Sequence, residues 1–347
     1  MEITKELKDI SWQVTEDVYR KDSALSYSTL AKFEREGFDR LDHLFDKVSS
    51  QSLLEGSMVD CLITGSKDEF DSLYYVADFP SIGDKEQQIV LYLYNKYHSS
   101  CEQFSYIPKE AVLLAVNEAE WQKNWRDDTR VRVLSERVAM YYNLKIQAGS
   151  KTVVDRKTYD RVIAMVRALK TSPATQGYFA DNDSLSPVRR YYQLKFRAKF
   201  EGVSYRCMMD LAVVDYEEKK IIPIDLKTSG HKEWDFQDSF CQWCYMIQSR
   251  LYWRVLKANL MHDPYFRNFT LENYRFIVVN KESLTPLVWE FPLTEIMGTL
   301  IDKEGKEYRD PFEIGKELQG YLNFKPRVPN GIDIDGINTI DCLKIKE

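Results

Sequence analysis

The 347-residue chain lacks the long apolar runs of a membrane protein. No stretch approaches the roughly 18–20 consecutive apolar residues that a membrane-spanning helix needs. Residues 1–8 are charged from the second position onwards and contain no apolar core followed by small residues, which a secretory signal requires. We therefore expect a protein that stays in the cytoplasm and has no membrane partner.

Cysteine is scarce and scattered, with six residues in a chain long enough to fold around a core without disulfides. Reduced thiols are the expected state. Only Cys241 and Cys244 have the spacing of a ligand pair, and no second pair follows at the distance typical of a zinc site. We interpret both as buried thiols in a helical segment.

The chain also lacks a net positive charge, since 48 Lys and Arg stand against 54 Asp and Glu, a formal charge of −6. This argues against a protein that coats nucleic acid, because that mode of binding neutralises phosphates over a broad basic surface. An enzyme that acts on DNA needs only a local basic strip. Arg197 and Lys199 belong to such a strip, which would equally fit a solvated strand face; its other members are Arg189, Arg190 and Lys195.

Hydrophobic residues at 44% and charged residues at 29% are typical of a globular enzyme. Apolar residues recur at helical spacing in much of the first half, which predicts a helical insertion over residues 84–150. Strand patterns follow in three runs that read as a meander, and we place the catalytic core at residues 186–282 of a single domain, 1–347. The predicted segments are helices at 24–36, 52–63, 158–169 and 240–260, and strands from 189 to about 200, 205–214, 220–227 and 274–280.

The second and third strands carry two acids in matching positions. A turn centred between Glu217 and Glu218 places Asp210 opposite Asp225. Side chains alternate along a strand, so Lys227 shares a face with Asp225, while Ile222, Ile224 and Leu226 point to the opposite, buried face. One face therefore collects two carboxylates and one lysine.

Two neighbouring carboxylates repel each other unless a cation or proton lies between them. Oxygen ligands on a rigid sheet suit Mg²⁺, or Mn²⁺ in its place. A lysine beside them can orient and help deprotonate a water, or stabilise a pentacovalent phosphate, so the set suits hydrolytic phosphoryl transfer. The alternative is a surface hairpin with an Asp225–Lys227 salt bridge and a solvated Asp210, and spacing alone does not separate the two.

Two helices add to the pattern. Tyr245, Gln248 and Tyr252 share one helix face and form a polar stripe suited to holding a water, a metal ligand or a DNA backbone. Upstream, Gly56 and Asp60 lie one helical turn apart, so that a close backbone approach at Gly56 would bring in a third carboxylate. Asp60 by itself is also compatible with an ordinary exposed acid.

The ordered combination resembles the RecB-like branch of the PD-(D/E)XK nuclease superfamily, in particular the RecE-type phage and prophage recombination exonucleases. The matching motifs are Leu25-Ser-Tyr-Ser-Thr-Leu30, Gly56-x-x-x-Asp60, Met208-Met-Asp210, Ile221-Ile-Pro-Ile-Asp-Leu-Lys-Thr228 and Tyr245-x-x-Gln248-x-x-x-Tyr252. Lone Asp-x-Lys would not be specific, but this order of motifs across most of the chain is.

The resemblance implies a restriction-endonuclease-like α/β fold, a central mixed β-sheet flanked by helices. It implies that Asp210 and Asp225 are metal ligands, that Lys227 is the catalytic lysine, and that Gln248 and Tyr252 position DNA or the active site. The family usually has His in place of Asp60 and often Glu in place of Asp225, which leaves the number and identity of the metals open. The cysteine pattern of relatives with an iron–sulfur cluster is absent, so none is expected.

The leading hypothesis from these residues is a metal-dependent nuclease that degrades linear double-stranded DNA from free ends in phage-type recombination or repair. A single-strand annealing recombinase and a second copy of the chain are the partners considered. The alternatives are an endonuclease of the same fold, and a DNA-binding or assembly protein with impaired catalysis.

Overall fold

The computed structural model describes residues 3–37, 41, 43–45, 51–65, 67–301, 305 and 307–323. The predicted single domain, 1–347, extends beyond these ranges, so the structure does not address its other residues, such as Phe38 and the sixth cysteine, Cys342. No helix within the described ranges is long and apolar enough to span a bilayer.

Helices and strands follow the predicted change of pattern, with helices dominating the first half of the described chain. The helices are α1 Glu16–Lys21, α2 Tyr27–Glu36, α3 Gln51–Thr64, α4 Lys67–Leu73, α5 Asp84–Tyr97, α6 Lys109–Glu118, α7 Asp127–Ala148, α8 Arg156–Thr171, α9 Phe236–Gln242, α10 Tyr245–His262, α11 Leu293–Met297 and α12 Pro311–Asn323. The strands are β1 Tyr74–Ala77, β2 Thr152–Asp155, β3 Val188–Phe200, β4 Val203–Asp215, β5 Lys220–Ser229, β6 Thr270–Leu271, β7 Tyr274–Asn280, β8 Pro286–Phe291, β9 Leu300–Ile301 and β10 Glu307–Tyr308.

A mixed sheet of order β3-β4-β5-β7-β8 forms the centre of the described fold, with the short β6 also beside β5. Strands β3, β4 and β5 make the predicted antiparallel meander, and the turn between β4 and β5 is fixed by Asp215, whose Oδ1 accepts hydrogen bonds from the backbone N–H groups of Glu217 and Glu218. Strand β7 pairs parallel to β5, and β8 pairs antiparallel to β7. The predicted fold class, a mixed sheet flanked by helices, is confirmed.

Helices cover both faces of this sheet, so the strands are hydrophobic in both directions. Helix α10 packs on one face against β3 and β4, together with α2 and α12, and contributes Ile247, Leu251 and Val255 to the core. Helices α3 and α8 cover the other face, where Met58 and Met165 are fully buried. The predicted burial of the face of Ile222, Ile224 and Leu226 is confirmed, and the opposite face, which carries Asp225, is covered as well.

The segment predicted as a helical insertion contains α5, α6 and α7, which enclose a separate hydrophobic cluster built around Leu93, Leu134 and Tyr142. Arg130 is buried inside it and donates to the backbone carbonyls of Val116 and Trp121 at 3.0 and 2.9 Å. The helical character matches the sequence pattern. Its status as an insertion within a single domain stays a prediction.

The helix predicted over 240–260 is interrupted, because α9 ends at Gln242 and α10 begins at Tyr245. Cys244 between them has a left-handed backbone with φ 55°, a conformation that ends one helix and redirects the chain into the next. Cys241 is exposed and Cys244 is buried, so the prediction of two buried thiols within a helix was wrong for Cys241. Trp243 is 44% exposed and does not make the core contact that a continuous helix would give it.

Strands β3 and β4 contain a matched irregularity. The ladder pairs Tyr192 with Leu211 and Leu194 with Met209, but Gln193 and Asp210 between them are not paired, and Gln193 has φ 53°. The residues on either side of this irregularity therefore lie on opposite faces of the sheet, although they are only two apart in the strand. Met209 packs with α10, whereas Leu211 packs with α3 and α8. The alternation of side chains is reversed at Asp210.

Substitution of Gln193 tests this irregularity. Gln193→Gly is expected to leave stability unchanged or raise it by up to about 1 kcal/mol, because glycine adopts a positive φ without a Cβ clash. Gln193→Val is expected to cost about 1–3 kcal/mol, because a β-branched residue strains this conformation. Urea unfolding followed by circular dichroism measures both.

The matched control is Lys195→Gly, at a regular position of β3 paired with Met208. Glycine in a regular strand is expected to destabilise the protein by about 0.5–1 kcal/mol. The same sign of change for Gln193→Gly and Lys195→Gly would contradict a special backbone at Gln193.

Candidate active site

The two predicted acids lie where β4 and β5 separate. The β4–β5 ladder runs from Asp215–Lys220 to Leu211–Ile224, which is the register that the turn predicts. It ends one pair short of Asp210 and Asp225, while the opposite edge of β5 pairs with β7 from Ile224 onwards. Asp210 Oδ2 accepts a hydrogen bond of 3.0 Å from the backbone N–H of Leu226, so a side chain replaces the missing ladder bond. This leaves a gap in the sheet bordered by two carboxylates.

Asp225 is buried, with 1% of its surface exposed. Its Oδ1 accepts a hydrogen bond from the Gln248 side chain of α10, and Lys227 Nζ lies 2.6 Å from its Oδ2. The lysine approaches without hydrogen-bond geometry, so Oδ2 has no hydrogen-bond donor within the described residues. The predicted salt bridge therefore exists, but the hairpin is interior, which excludes the alternative of a solvated surface pair.

Lys227 lies between Asp225 and an aromatic ring. Its Nζ is 4.6 Å from the ring centroid of Tyr245, the first residue of α10. Burial has the largest single effect on Lys227 and lowers its pKa, but the charge of Asp225, together with Tyr245, Asp210 and Tyr27, outweighs burial and raises this pKa above its usual value. The lysine is therefore an ammonium ion held between a carboxylate and a π face.

Asp210 and Asp60 both sit in surroundings that favour the protonated acid. Burial and the charge of Asp225 raise the pKa of Asp210 well above its usual value, and the same two causes raise the pKa of Asp60 to about 7. Asp60 is half-buried on α3, which packs against β5 where a Cβ on Gly56 would contact Thr228 Oγ1 at 3.6 Å. The three acids thus interact electrostatically from three different elements.

The donor set fits a hard divalent cation in its chemistry. All the acidic donors are oxygens, and Asp225 Oδ2 accepts no hydrogen bond from the described residues. Burial and the neighbouring carboxylates raise the pKa values of Asp60 and Asp210. A bound cation would lower these pKa values again. Across the described ranges, however, no three Asp, Glu, His or Cys side chains converge as a group that could hold a metal ion. The metal-ligand roles of Asp60, Asp210 and Asp225 stay predictions.

The polar stripe of α10 faces the site. Gln248 is buried, and its Oε1 has no hydrogen-bond partner in the described part of the chain. Tyr252 is buried one turn further on, and burial raises its pKa well above the usual value, so it is a neutral phenol. Tyr245 packs against Phe236 and Phe276 on the side away from solvent. The helix therefore brings two polar side chains and one aromatic ring to the gap.

Arg197 and Lys199 are not part of this arrangement. Gln193 lies across from Asp210, and Arg197 and Lys199 follow it along β3 by about 13 and 20 Å. Arg197 is ion-paired with Asp22 at 3.3 Å and lies over the Trp12 ring. Arg189 and Arg190 of the same strip donate to backbone carbonyls of residues 177–188. The prediction that Arg197 and Lys199 bind DNA stays untested, and the structure does not bring them to the carboxylates.

Two residues near the carboxylates have roles that the sequence did not indicate. Gln193 has a left-handed conformation in a strand pattern without glycine or asparagine, and nothing in its identity indicates this. Tyr27, the first residue of α2, donates a hydrogen bond of 2.7 Å to the Trp243 carbonyl, and its ring is 6.2 Å from that of Tyr245. Tyr27 belongs to the motif that begins at Leu25, but its role in joining α2 to α10 is visible only in the fold.

Comparison with known proteins adds little. No known family model matches the chain, and no curated protein does. A crystal structure of a candidate exonuclease from Eubacterium rectale is similar over 93% of this chain and 86% of its own, with 11% sequence identity and a TM-score of 0.42. A likeness with this identity and TM-score decides neither the fold nor the chemistry of the chain.

Asp60 gives the metal-free protein a pH-dependent stability. An unfolded Asp has a pKa of about 3.9, whereas folded Asp60 has a pKa of about 7. Between these pH values the folded state holds a proton that the unfolded state has lost, so stability decreases as pH rises from about 4 to about 7. Asp60→Asn is expected to reduce this decrease, which urea unfolding in EDTA at pH 5, 6, 7 and 8 measures.

The control is Asp71→Asn, which changes an exposed carboxylate of α4. It should retain the pH dependence of the wild-type chain. Identical slopes for wild type, Asp60→Asn and Asp71→Asn would show that Asp60 does not hold a proton in the folded state.

Proposed function

We propose that the chain is a divalent-metal-dependent deoxyribonuclease, an exonuclease that acts on linear double-stranded DNA. The observation that carries this proposal is the buried Asp225, held by Gln248 and Lys227 beside Asp210 at the gap between β4 and β5. A protein has no structural need to bury this set, because buried charges cost stability. The resemblance of its motifs to RecE-type exonucleases supports the same chemistry.

In this proposal Asp210 and Asp225 hold Mg²⁺, with Asp60 as a third oxygen donor, and Mn²⁺ substitutes for it. The ion supplies Lewis acidity to the scissile phosphodiester when bound. Gln248 keeps Asp225 Oδ1 in place by its hydrogen bond, which leaves Oδ2 as the oxygen without a donor. Gln248 thereby orients the Asp225 carboxylate for metal binding before the substrate arrives.

Lys227 has two possible roles, as a base for the attacking water or as a positive charge beside the phosphate. Its surroundings favour the second role, because the Asp225 carboxylate at 2.6 Å and the Tyr245 ring at 4.6 Å both stabilise the ammonium form, which donates hydrogen bonds and does not accept a proton. We propose that Lys227 donates to a nonbridging phosphate oxygen and stabilises the charge that develops there. Tyr245 restricts where the ammonium can lie.

Four further parts of the proposal rest on the motif resemblance alone. They are attack from free ends, a role in phage-type recombination or repair in the cytoplasm, an annealing recombinase as partner, and a homo-oligomeric state. An endonuclease of this fold would use the same residues. A catalytically impaired DNA-binding protein would not need the ammonium beside the carboxylates.

Single substitutions at the carboxylates and the lysine test the chemistry. Asp210→Asn, Asp225→Asn and Lys227→Met are each expected to lower the rate of nucleotide release from linear duplex DNA by at least about 100-fold, because the first two remove a ligand of the metal ion and the third removes the cation beside the phosphate. The assay measures acid-soluble nucleotides in Mg²⁺, in Mn²⁺ and in EDTA. Asp215→Asn is the control, since Asp215 fixes the β4–β5 turn at the other end of the hairpin.

The same assay separates the alternatives. Linear duplex is expected to be degraded in Mg²⁺ while a closed circle of the same sequence stays intact. Equal cutting of circles would favour an endonuclease. DNA binding without cleavage of either substrate, by wild type and variants alike, would leave the binding protein as the interpretation.

The hydrogen bond from Gln248 to Asp225 predicts a change in metal affinity. Gln248→Leu removes the donor from Asp225 Oδ1, and loss of such an orienting group typically weakens metal binding about 10- to 100-fold. Activity measured as a function of Mg²⁺ concentration should shift to higher concentration by that factor. Ser249→Ala is the control in the same helix, because Ser249 Oγ bonds only to α10 carbonyls. An unchanged Mg²⁺ dependence in Gln248→Leu would contradict the proposed role.

A further inference from the structure

An exposed tryptophan lies against an arginine at the junction that precedes α10. Trp243 is 44% exposed, and the guanidinium carbon of Arg35 is 5.4 Å from its ring centroid. Arg35 Nη1 also donates to the Trp243 carbonyl at 3.4 Å. Arg35 is itself exposed at the end of α2, so the pair presents an indole and a guanidinium together to solvent.

This pair is joined to the candidate active site through two tyrosines. The Trp243 carbonyl accepts the hydroxyl of Tyr27, and the Tyr27 ring is 6.2 Å from that of Tyr245. Tyr245 in turn lies 4.6 Å from Lys227 Nζ. The charges of Lys227 and Arg35 both act to lower the pKa values of Tyr27 and Tyr245, against a larger raising effect of burial. The arginine and the lysine are thus neighbours of the same two phenols.

The backbone presents the indole outward. The left-handed Cys244 separates Trp243 from the regular turns of α10, where an unbroken helix would have turned it towards the core. A second exposed indole, Trp234, lies nine residues earlier in the chain. It is 62% exposed, and Lys232 Nζ is 5.3 Å from its ring centroid. Trp234 is followed two residues later by Phe236, which stacks on Tyr245. Of the three tryptophans that are exposed in the described structure, two therefore lie in the segment between β5 and α10.

Exposed aromatic rings with adjacent cations are what proteins use to bind unpaired nucleotides, since a base stacks on the ring and the phosphate meets the positive charge. We propose that Trp243 and Arg35 form a binding site for one unpaired nucleobase and its phosphate, beside the carboxylates. The identity of the polymer as DNA rests on the proposed function. The site would hold a strand end that has separated from its duplex.

The pair could instead serve only to fasten α2 to α10, and the test must separate the two. A purely structural role changes stability but not the ratio between binding of a normal strand and binding of a strand that lacks a base. The probes are a fluorescein-labelled twelve-nucleotide single-stranded DNA and the same strand with abasic sites in its last three positions. Fluorescence anisotropy in EDTA measures both affinities without cleavage.

Wild type is expected to bind the normal strand more tightly than the abasic strand by about 5- to 100-fold. Trp243→Ala should remove most of that preference, and Trp243→Phe should retain it to within about threefold because a ring remains. Arg35→Ala should weaken both strands, since it removes a phosphate contact, while Arg35→Lys restores part of the affinity. Circular dichroism and thermal unfolding of each variant report folding separately.

Trp125→Ala is the matched control, because Trp125 is also 44% exposed but lies between α6 and α7 in the helical segment. It should bind both strands as wild type does. An unchanged preference in folded Trp243→Ala would overturn the nucleobase site, and so would a wild type that does not distinguish the two strands. Cleavage of duplex DNA by the same preparations is measured in parallel, so that a base preference without cleavage contradicts only the nuclease proposal, and cleavage without a base preference contradicts only the nucleobase site.

Discussion

The interior position of Asp225 is the constraint on which the rest of the site depends. A carboxylate with 1% exposure must have partners of opposite charge or hydrogen-bond donors, because the low dielectric of the core makes an isolated charge costly. Gln248 and Lys227 meet this need from a helix and from the same strand. Helix α10 must therefore pack on the sheet in the one position that brings Gln248 to Asp225, and the core contacts of Leu251 and Val255 fix this position. Stability and active-site geometry are consequently determined by the same helix.

The gap in the sheet arises from two local departures from regular structure. The pairing of β4 with β5 ends at Leu211 and Ile224, and β3 and β4 lose a pair of residues at Gln193 and Asp210. Each departure alone would leave backbone groups without partners. The Asp210 side chain accepts the N–H of Leu226, which compensates for part of that loss while holding the carboxylate at the gap. An irregular backbone at this point is therefore tied to an acidic residue.

Much of the central sheet could be predicted from sequence because its signals are local. Alternating apolar residues and the Glu201-Gly202 and Asp215–Lys219 turns determine the meander, and the turn position determines which residue of β4 faces which residue of β5. The burial of the Asp225 face could not be predicted, since it depends on where α10 docks, and α10 is distant in sequence. The break at Cys244 was missed because no Gly or Pro marks it between Phe236 and His262, and apolar residues recur at helical spacing through it.

The basic strip shows the limit of reading charge from sequence. Arg189, Arg190 and Arg197 occur close together, but they are used for backbone carbonyls and for Asp22. The position of a cation relative to the carboxylates is decided by loops and by the N-terminal segment, which carry weak patterns. Arg35 and Lys232 gave no cluster in the sequence, yet each lies over an exposed indole of the segment between β5 and α10.

The connection between β5 and β7 has a consequence for folding. These strands pair in parallel, so the whole of α9 and α10 must cross over before β7 can join the sheet. Asp60 lies about 150 residues before Asp210, and such long-range contacts form late because the entropy of closing large loops is lost before the contacts are gained. During synthesis, a chain that has not yet produced α10 contains the acidic residues but not the geometry that joins them. The proposed activity on nucleic acid would therefore arise only with the completed fold.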